Sequence, residues 1–332
     1  TDAAIALTGH TVNGDLSVTS AGAISQSAAL TVTGTSSFTS TGSNNNITLS
    51  TDSNDLRGVV SASTVGSSGD ITIDNGTTAL ILGTVTANGA LSIRGGNGIT
   101  DNAGNVITVA GTSLFHSDVT AKAITLDSNN AMAGAVSITH TGAADVAIDN
   151  HTTALILGTV STGRNFEARS GNGITDNGVI TVAGTSLFHS DVTAKAITLD
   201  SNNAMAGAVS ITHTGAADVA IDNHTTALIL GTVSTGRNFE ARSGNGITDT
   251  AGVITVAGTG TFISDVDDKD IVLDSDHAIT GALTFTTQGA SNLSDITFDN
   301  GSTAISLAAF TTEGDLTLKT DAAIALSGHT VN

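Results

Sequence analysis

Short apolar runs with a period of two recur along the whole chain. Val106-Ile-Thr-Val109, Ala123-Ile-Thr-Leu126, Ala135-Val-Ser-Ile138, Val146-Ala-Ile148 and Ala154-Leu-Ile-Leu157 are brief, β-branched or Thr-rich. Residues two apart share one face of a strand, so each run predicts a strand with one apolar face. Clusters of Gly, Asn, Asp and Ser separate the runs at intervals of about ten residues or less, which is turn punctuation. No segment carries a 3.6-residue apolar stripe over ten or more residues, so helices are expected to be almost absent. The chain also has no Pro, which fits strands paired on both edges, because Pro deletes a ladder hydrogen bond.

The runs repeat as larger blocks. Val106 to Asp176 recurs unchanged as Val179 to Asp249. Phe38, Phe115, Phe188 and Phe262 occupy one equivalent position, and Leu56, Met132, Met205 and Ile279 a second, always apolar one. Asn75, Asn150, Asn223 and Asn300 close a third motif, read as IDN three times and then FDN. TDAAIALTGHTVN at Thr1 returns as TDAAIALSGHTVN at Thr320. The repeats run at approximately 30–105, 106–178, 179–252 and 253–319, with 1–29 and 320–332 echoing each other.

Two all-β architectures fit such a pattern, a sandwich array and a solenoid. A sandwich domain needs about 100 residues and a core with large aromatics. The repeating unit here is shorter, has one or two Phe, and drifts in length between copies. A solenoid absorbs that drift in the loops at its corners. The expectation is an all-β, right-handed parallel β-helix running continuously through 1–332, with about 13–16 rungs. Each repeat is expected to hold about three rungs of roughly 20, 22 and 30 residues, or four thinner ones. The Phe and Leu/Met series, with Phe166 and Phe239, are then inward ladders, each copy displaced along the axis.

Composition narrows the function. With 30 acidic against 10 basic side chains the formal charge is −20, so nucleic acid is not expected as a partner. Without Cys neither a disulfide framework nor a Cys-ligated metal site can form. No apolar run reaches the ~18 residues of a membrane span, and membrane insertion is not expected. The first residues show neither a basic n-region nor a signal h-region, and the sequence reads as an internal excerpt of something longer.

Gly14-Asp-Leu-Ser-Val-Thr-Ser-Ala-Gly-Ala-Ile-Ser-Gln26, Ala29-Leu-Thr-Val-Thr-Gly-Thr-Ser-Ser-Phe38 and Asn46-Ile-Thr-Leu49 resemble the β-strand repeats of filamentous-haemagglutinin-type exoproteins. These are giant surface proteins of Gram-negative bacteria, often exported by two-partner secretion. The resemblance spans essentially the whole chain and is carried by composition and repeat pattern. It implies a right-handed β-helical shaft on an extracellular adhesin or filament at the bacterial cell surface. The secretion domain of that family is not recognisable here.

Candidate chemistry is sparse. Asp52 and Asp55, Asp265, Asp267 and Asp268, and Asp274 and Asp276 lie in acidic turns whose oxygens can ligate Ca²⁺. The competing reading is that Asp and Asn bond their own backbone in tight turns. The absence of the GGxGxDxUx calcium repeat favours that second reading, and no cofactor is expected. Of the nine His, the duplicated pairs His116/His189, His140/His213 and His151/His224 read as surface decoration, with a His140–His151 pair across adjacent corners as the alternative. Asp267-Asp268, Gly9-His10 and Gly328-His329 are what a polysaccharide-degrading enzyme would have to use. Glycoside hydrolysis needs two carboxylates at a fixed separation, and here there is no Tyr or Trp to stack a sugar. Thr31-Val-Thr33 and Thr84-Val-Thr86 do not recur at one corner, as a flat ice-binding array would require.

The sequence therefore predicts a non-enzymatic structural shaft giving mechanical reach for attachment. Its partners are copies of itself or flanking repeats, through end-to-end stacking. Weak repeated contacts to cell-surface glycans are the alternative.

Overall fold

The computed structural model describes residues 3–118, 121–191, 194–289 and 293–326. Every regular element in them is a β-strand. The chain divides into two compact units, Thr1–Gly171 and Asn172–Asn332, and each is a parallel β-solenoid. Together they make about 14 turns, within the range expected.

In the first unit the chain passes alternately through two parallel sheets. Ile24–Val32, Ile71–Asp74, Leu91–Arg94, Ser113–Ser117 and Val136–His140 belong to one; Ser36–Ser43, Val59–Val65, Leu80–Ala87 and Val146–Asn150 belong to the other. Turn length varies. Ile5 lies opposite Ile24, whereas the longer turn that begins at Ile99 returns to it only at Ile124. The longer turns break one side into two short strands. Ile99–Asp101 and Ile107–Val109 stack together on the single long strand Leu80–Ala87.

Alternation of burial follows the strand period. In Ser113–Ser117 the buried residues are Ser113, Phe115 and Ser117, and in Val136–His140 they are Val136, Ile138 and His140. Inward residues form columns in register. Ile73, Ile93, Phe115 and Ile138 stack in successive turns, so each apolar side chain is covered by the turn above and the turn below. Burying one such side chain contributes on the order of 1.5–3 kcal/mol.

Each member of the expected ladder, namely Phe38, Leu56, Phe115, Met132, Phe166, Phe188, Met205, Phe239, Phe262 and Ile279, is at most 1% exposed. Equivalent members do not stack on one another, however. Phe38, Ala62, Val85 and Ile107 fill one column over three turns, and Phe115 then follows in the opposite sheet. The second unit repeats this: Phe188, Ile211, Val233 and Ile254 share a column, and Phe262 comes next in the opposite sheet. One repeat is thus three turns and a half, between the three unequal rungs and the four thinner ones that the sequence left open. Corner loops of variable length make the half turn, and inward Val, Ile and Phe fit either sheet equally.

The second unit adds an aromatic stack. Phe262 and Phe285 are in register, with ring centroids 5.5 Å apart and planes 14° from parallel. Phe298 meets Phe285 at 5.2 Å from the facing side. Phe239 is opposite Gly260, where a Cβ would press on Ile279, Leu283 and the Phe262 ring at 3.1, 3.1 and 3.2 Å.

Candidate functional site

The recurring chemistry of the fold sits at its corners, where asparagine side chains replace backbone pairing. A carboxamide carries the same donor and acceptor as a peptide group. Asn75 Oδ1 accepts the Leu56 N–H at 2.7 Å while its Nδ2 donates to the Leu56 and Ala79 carbonyls at 3.0 and 2.9 Å. Asn150 does the same to Met132 and Ala154 at 2.7, 3.0 and 2.9 Å. In the second unit Asn223 holds Met205 and Ala227, and Asn300 holds Ile279 and Ala304. All four are 0% exposed. The third sequence series therefore grips the backbone of the second.

A second corner series lies two residues before each Leu/Met position. Asn54, Asn130 and Asn203 accept the N–H groups of Leu30, Ile107 and Ile180 at 2.8, 2.9 and 2.9 Å. Their Nδ2 groups donate to Gln26 Oε1, Asp101 Oδ2 and Asp176 Oδ2 at 2.9, 2.9 and 2.6 Å. Burial pushes the Asp176 carboxyl above its ordinary value, against the pull of Asn203 and of the Ser201 and Asp200 N–H groups. At the fourth corner His277 takes the place of asparagine. Sequence reading missed this series, although its spacing matches that of Leu56, Met132, Met205 and Ile279.

The histidines divide. His116 touches Asp118 and His189 touches Asp191 through their Nε2 atoms on the outer surface, and His10, His151 and His224 are exposed. His140 and His213 are not surface decoration: they are 2% and 1% exposed. Each directs Nε2 to a backbone carbonyl, Lys122 or Lys195, at 2.7 Å. They occupy inward corner positions that elsewhere hold Ser or Thr, where a polar tip bonds the neighbouring turn. With His140 inward and His151 exposed, the alternative pairing of the two across a corner is not formed.

Two of the three acidic turns lie in the second unit and one in the first. Asp265 pairs with Arg242, whose Nη1 lies 3.0 Å from Oδ2. Asp267 ends a strand opposite Gln288, and Asp268 takes the left-handed backbone region at φ 59°. The turn holding Asp274 and Asp276 is bonded through its Ser275 N–H to Asp249 Oδ2 at 3.2 Å. In the first unit Asp55 accepts from Arg57 and Thr78, and Arg57 holds its carboxyl below the ordinary carboxylate value. Among the described residues no three His, Asp or Glu side chains are grouped to hold a metal ion. Gly328-His329 lies outside the described residues.

Outward acid and base recur in register. Asp74 lies opposite Arg94, Asp149 opposite Arg169, Asp222 opposite Arg242 and Asp299 opposite Lys319. Arg94 bridges Asp74 and Asp118 at 3.1 and 2.6 Å, and Lys319 contacts Asp299. In the first unit a shallow depression is lined by Asp127, Asp149, Glu167 and Arg169 over Ala147. Among the described residues no helix is long and apolar enough to cross a membrane.

No curated protein and no solved structure matches the chain. One repeat family matches it four times in succession, at residues 1–63, 68–139, 143–212 and 216–286, with its ends spaced as Asn54, Asn130, Asn203 and His277 are and in a different phase from the blocks read above. The chain belongs to that family, described as Repeats of unknown function (DUF5649).

Proposed function

We propose that the chain is a non-enzymatic structural shaft, a segment of an extracellular filament or adhesin at the bacterial surface, whose role is mechanical reach. The observation that carries this reading is the corner asparagine. The same buried carboxamide makes the same bonds at Asn75, Asn150, Asn223 and Asn300. A side chain repeated in this way secures the continuity of a coil, whereas a catalytic centre gathers unlike residues at one place. Repeats that contact only their neighbours extend a chain by adding copies. The resemblance to filamentous-haemagglutinin-type repeats supports the surface location, and flanking repeats or further copies are the natural partners. No cofactor enters this role.

The test is to place the chain between a surface anchor and a small gold-binding tag on bacteria. The distance of the gold from the envelope is read by electron microscopy for one and two tandem copies. Distance growing with copy number supports the shaft; an unchanged distance overturns it.

A second reading, weak glycan binding, rests on the depression formed by Asp127, Asp149, Glu167 and Arg169. Its polar groups can bond sugar hydroxyls, and duplication of the block would multiply the contact. Binding on a glycan array that is lost with Glu167→Ala supports this reading; an empty array removes it.

A further inference from the structure

The His277 corner sets a titratable ring where its three relatives have a carboxamide. His277 is 1% exposed and its Nδ1 accepts the Ile254 N–H at 3.2 Å, the bond that Asn54, Asn130 and Asn203 make through Oδ1. A ring nitrogen that accepts a backbone N–H carries no hydrogen, so the neutral ring bears its proton on Nε2. Nε2 lies 2.9 Å from Asp249 Oδ2 but makes no aligned hydrogen bond. A second proton has to enter at Nδ1, where the Ile254 N–H already points.

We propose that the His277 corner is an acid-sensitive latch: protonation of the imidazole expels the Ile254 N–H from Nδ1 and opens this one turn of the second unit, while the asparagine corners stay closed.

The groups acting on the ring pull in opposite directions. Asp249 from the strand Ile247–Asp249, Asp299 from the strand Ile296–Asp299 and Asp274 from the turn after Ile271–Leu273 all favour the cation. The Phe298 ring, 5.7 Å away, and the surrounding coil keep water out and oppose it. Burial prevails and pushes His277 below its ordinary value. An opened turn exposes an imidazole that takes up its proton at about pH 6.5. The open form then binds more protons than the closed one, so closure is fully stable above that pH and is lost as pH falls through the lowered value. A carboxamide has no such step.

Hydrogen exchange on the full chain tests the latch, with Leu30 as internal reference, because its corner residue Asn54 bonds Gln26 and no carboxyl group. After correction for intrinsic rates, the protection of the Ile254 amide relative to Leu30 is expected to fall at least tenfold between pH 7.5 and 4.5. In His277→Asn, which installs the side chain of the sister corners, the ratio is expected to stay constant. A constant ratio in the unaltered protein, or an equal fall in His277→Asn, overturns the proposal. The unaltered protein decides alone if the variant does not fold.

Discussion

One side chain holds Met132 by both halves of its backbone: Asn150 accepts its N–H at 2.7 Å and donates to its carbonyl at 3.0 Å. The strand Ala131–Met132 has only two residues, and the following turn offers it no strand at that place. The carboxamide stands in for the missing neighbour, and its second Nδ2 hydrogen ties the Ala154 carbonyl at 2.9 Å.

Asn150→Asp keeps the shape and removes the donor. At neutral pH it sets a carboxylate against the Met132 and Ala154 carbonyls, and leaving such groups unsatisfied costs about 1–3 kcal/mol each. The variant is expected to be destabilised by on the order of 3 kcal/mol at pH 7. Acid restores one O–H donor, so its deficit relative to the unaltered chain should shrink by pH 4. Urea unfolding at the two pH values measures this, and a deficit independent of pH would count against the exchange of bonds described.

How much of this was open to inspection in the sequence depends on the range of each interaction. Val136, Ser137, Ile138 and Thr139 alternate so plainly that the strand, and the solenoid built from its repeats, follow from periodicity. The same alternation puts His140 on the inward face with Val136 and Ile138, a signal passed over because histidine is usually exposed. The corner bonds were beyond reach. Asn150 meets Met132 far back along the chain, and Asn130 meets Asp101 from farther still. Which residues oppose each other depends on turn lengths that vary from corner to corner. The half turn per repeat was hidden because Phe115 beside Ile93 and Ile138 meets the same kind of column as Phe38 beside Val18 and Ala62.

Two neighbouring residues of the second unit separate core from surface. Phe188 is 0% exposed and lies opposite Ile211; the Asp191 side chain is 60% exposed and touches His189. Phe188→Asp loses a buried ring and buries a carboxylate, an expected cost on the order of 5 kcal/mol. Asp191→Asn is expected to stay within about 0.5 kcal/mol. Equal melting temperatures for the two variants would remove Phe188 from the column.

Glycines in one stacked column differ in what lies above them. A Cβ on Gly58 would stand 2.2 Å from the Gly34 carbonyl oxygen, whereas one on Gly14 meets nothing within 4 Å. Backbone at that distance cannot give way without spreading two turns. Gly58→Ala is expected to cost about 2–3 kcal/mol, and Gly14→Ala to be neutral within about 0.5 kcal/mol. Thermal melts of the two proteins check the stacking of turns directly, and equal losses would contradict it.

Deletion tests the repeat as the unit of construction. Removing residues 106–178 joins Asn105 to Val179, and the stretch from Val179 to Asp249 then reproduces the lost Val106 to Asp176. Ile180 then enters the column of Val85 in place of Ile107, and Phe188 sits between Ile93 and Ile211 as Phe115 sits between Ile93 and Ile138. Every corner bond keeps a partner, with Asn203 to Asp176 replaced by Asn203 to Asp101. Solenoid stability is close to a sum over repeats and their interfaces, so the shortened chain is expected to fold cooperatively and melt within a few degrees of the parent. Removing 106–165 instead joins Asn105 to Phe166 at the wrong point of the turn. That chain leaves Asp101 without the asparagine that bonds it and sets Glu167 in the inward place of Ile107 opposite Val85, and it is expected to be protease-sensitive and to lack a cooperative melt. If both deletions behave alike, the register of three and a half turns per repeat is not what holds the coil together.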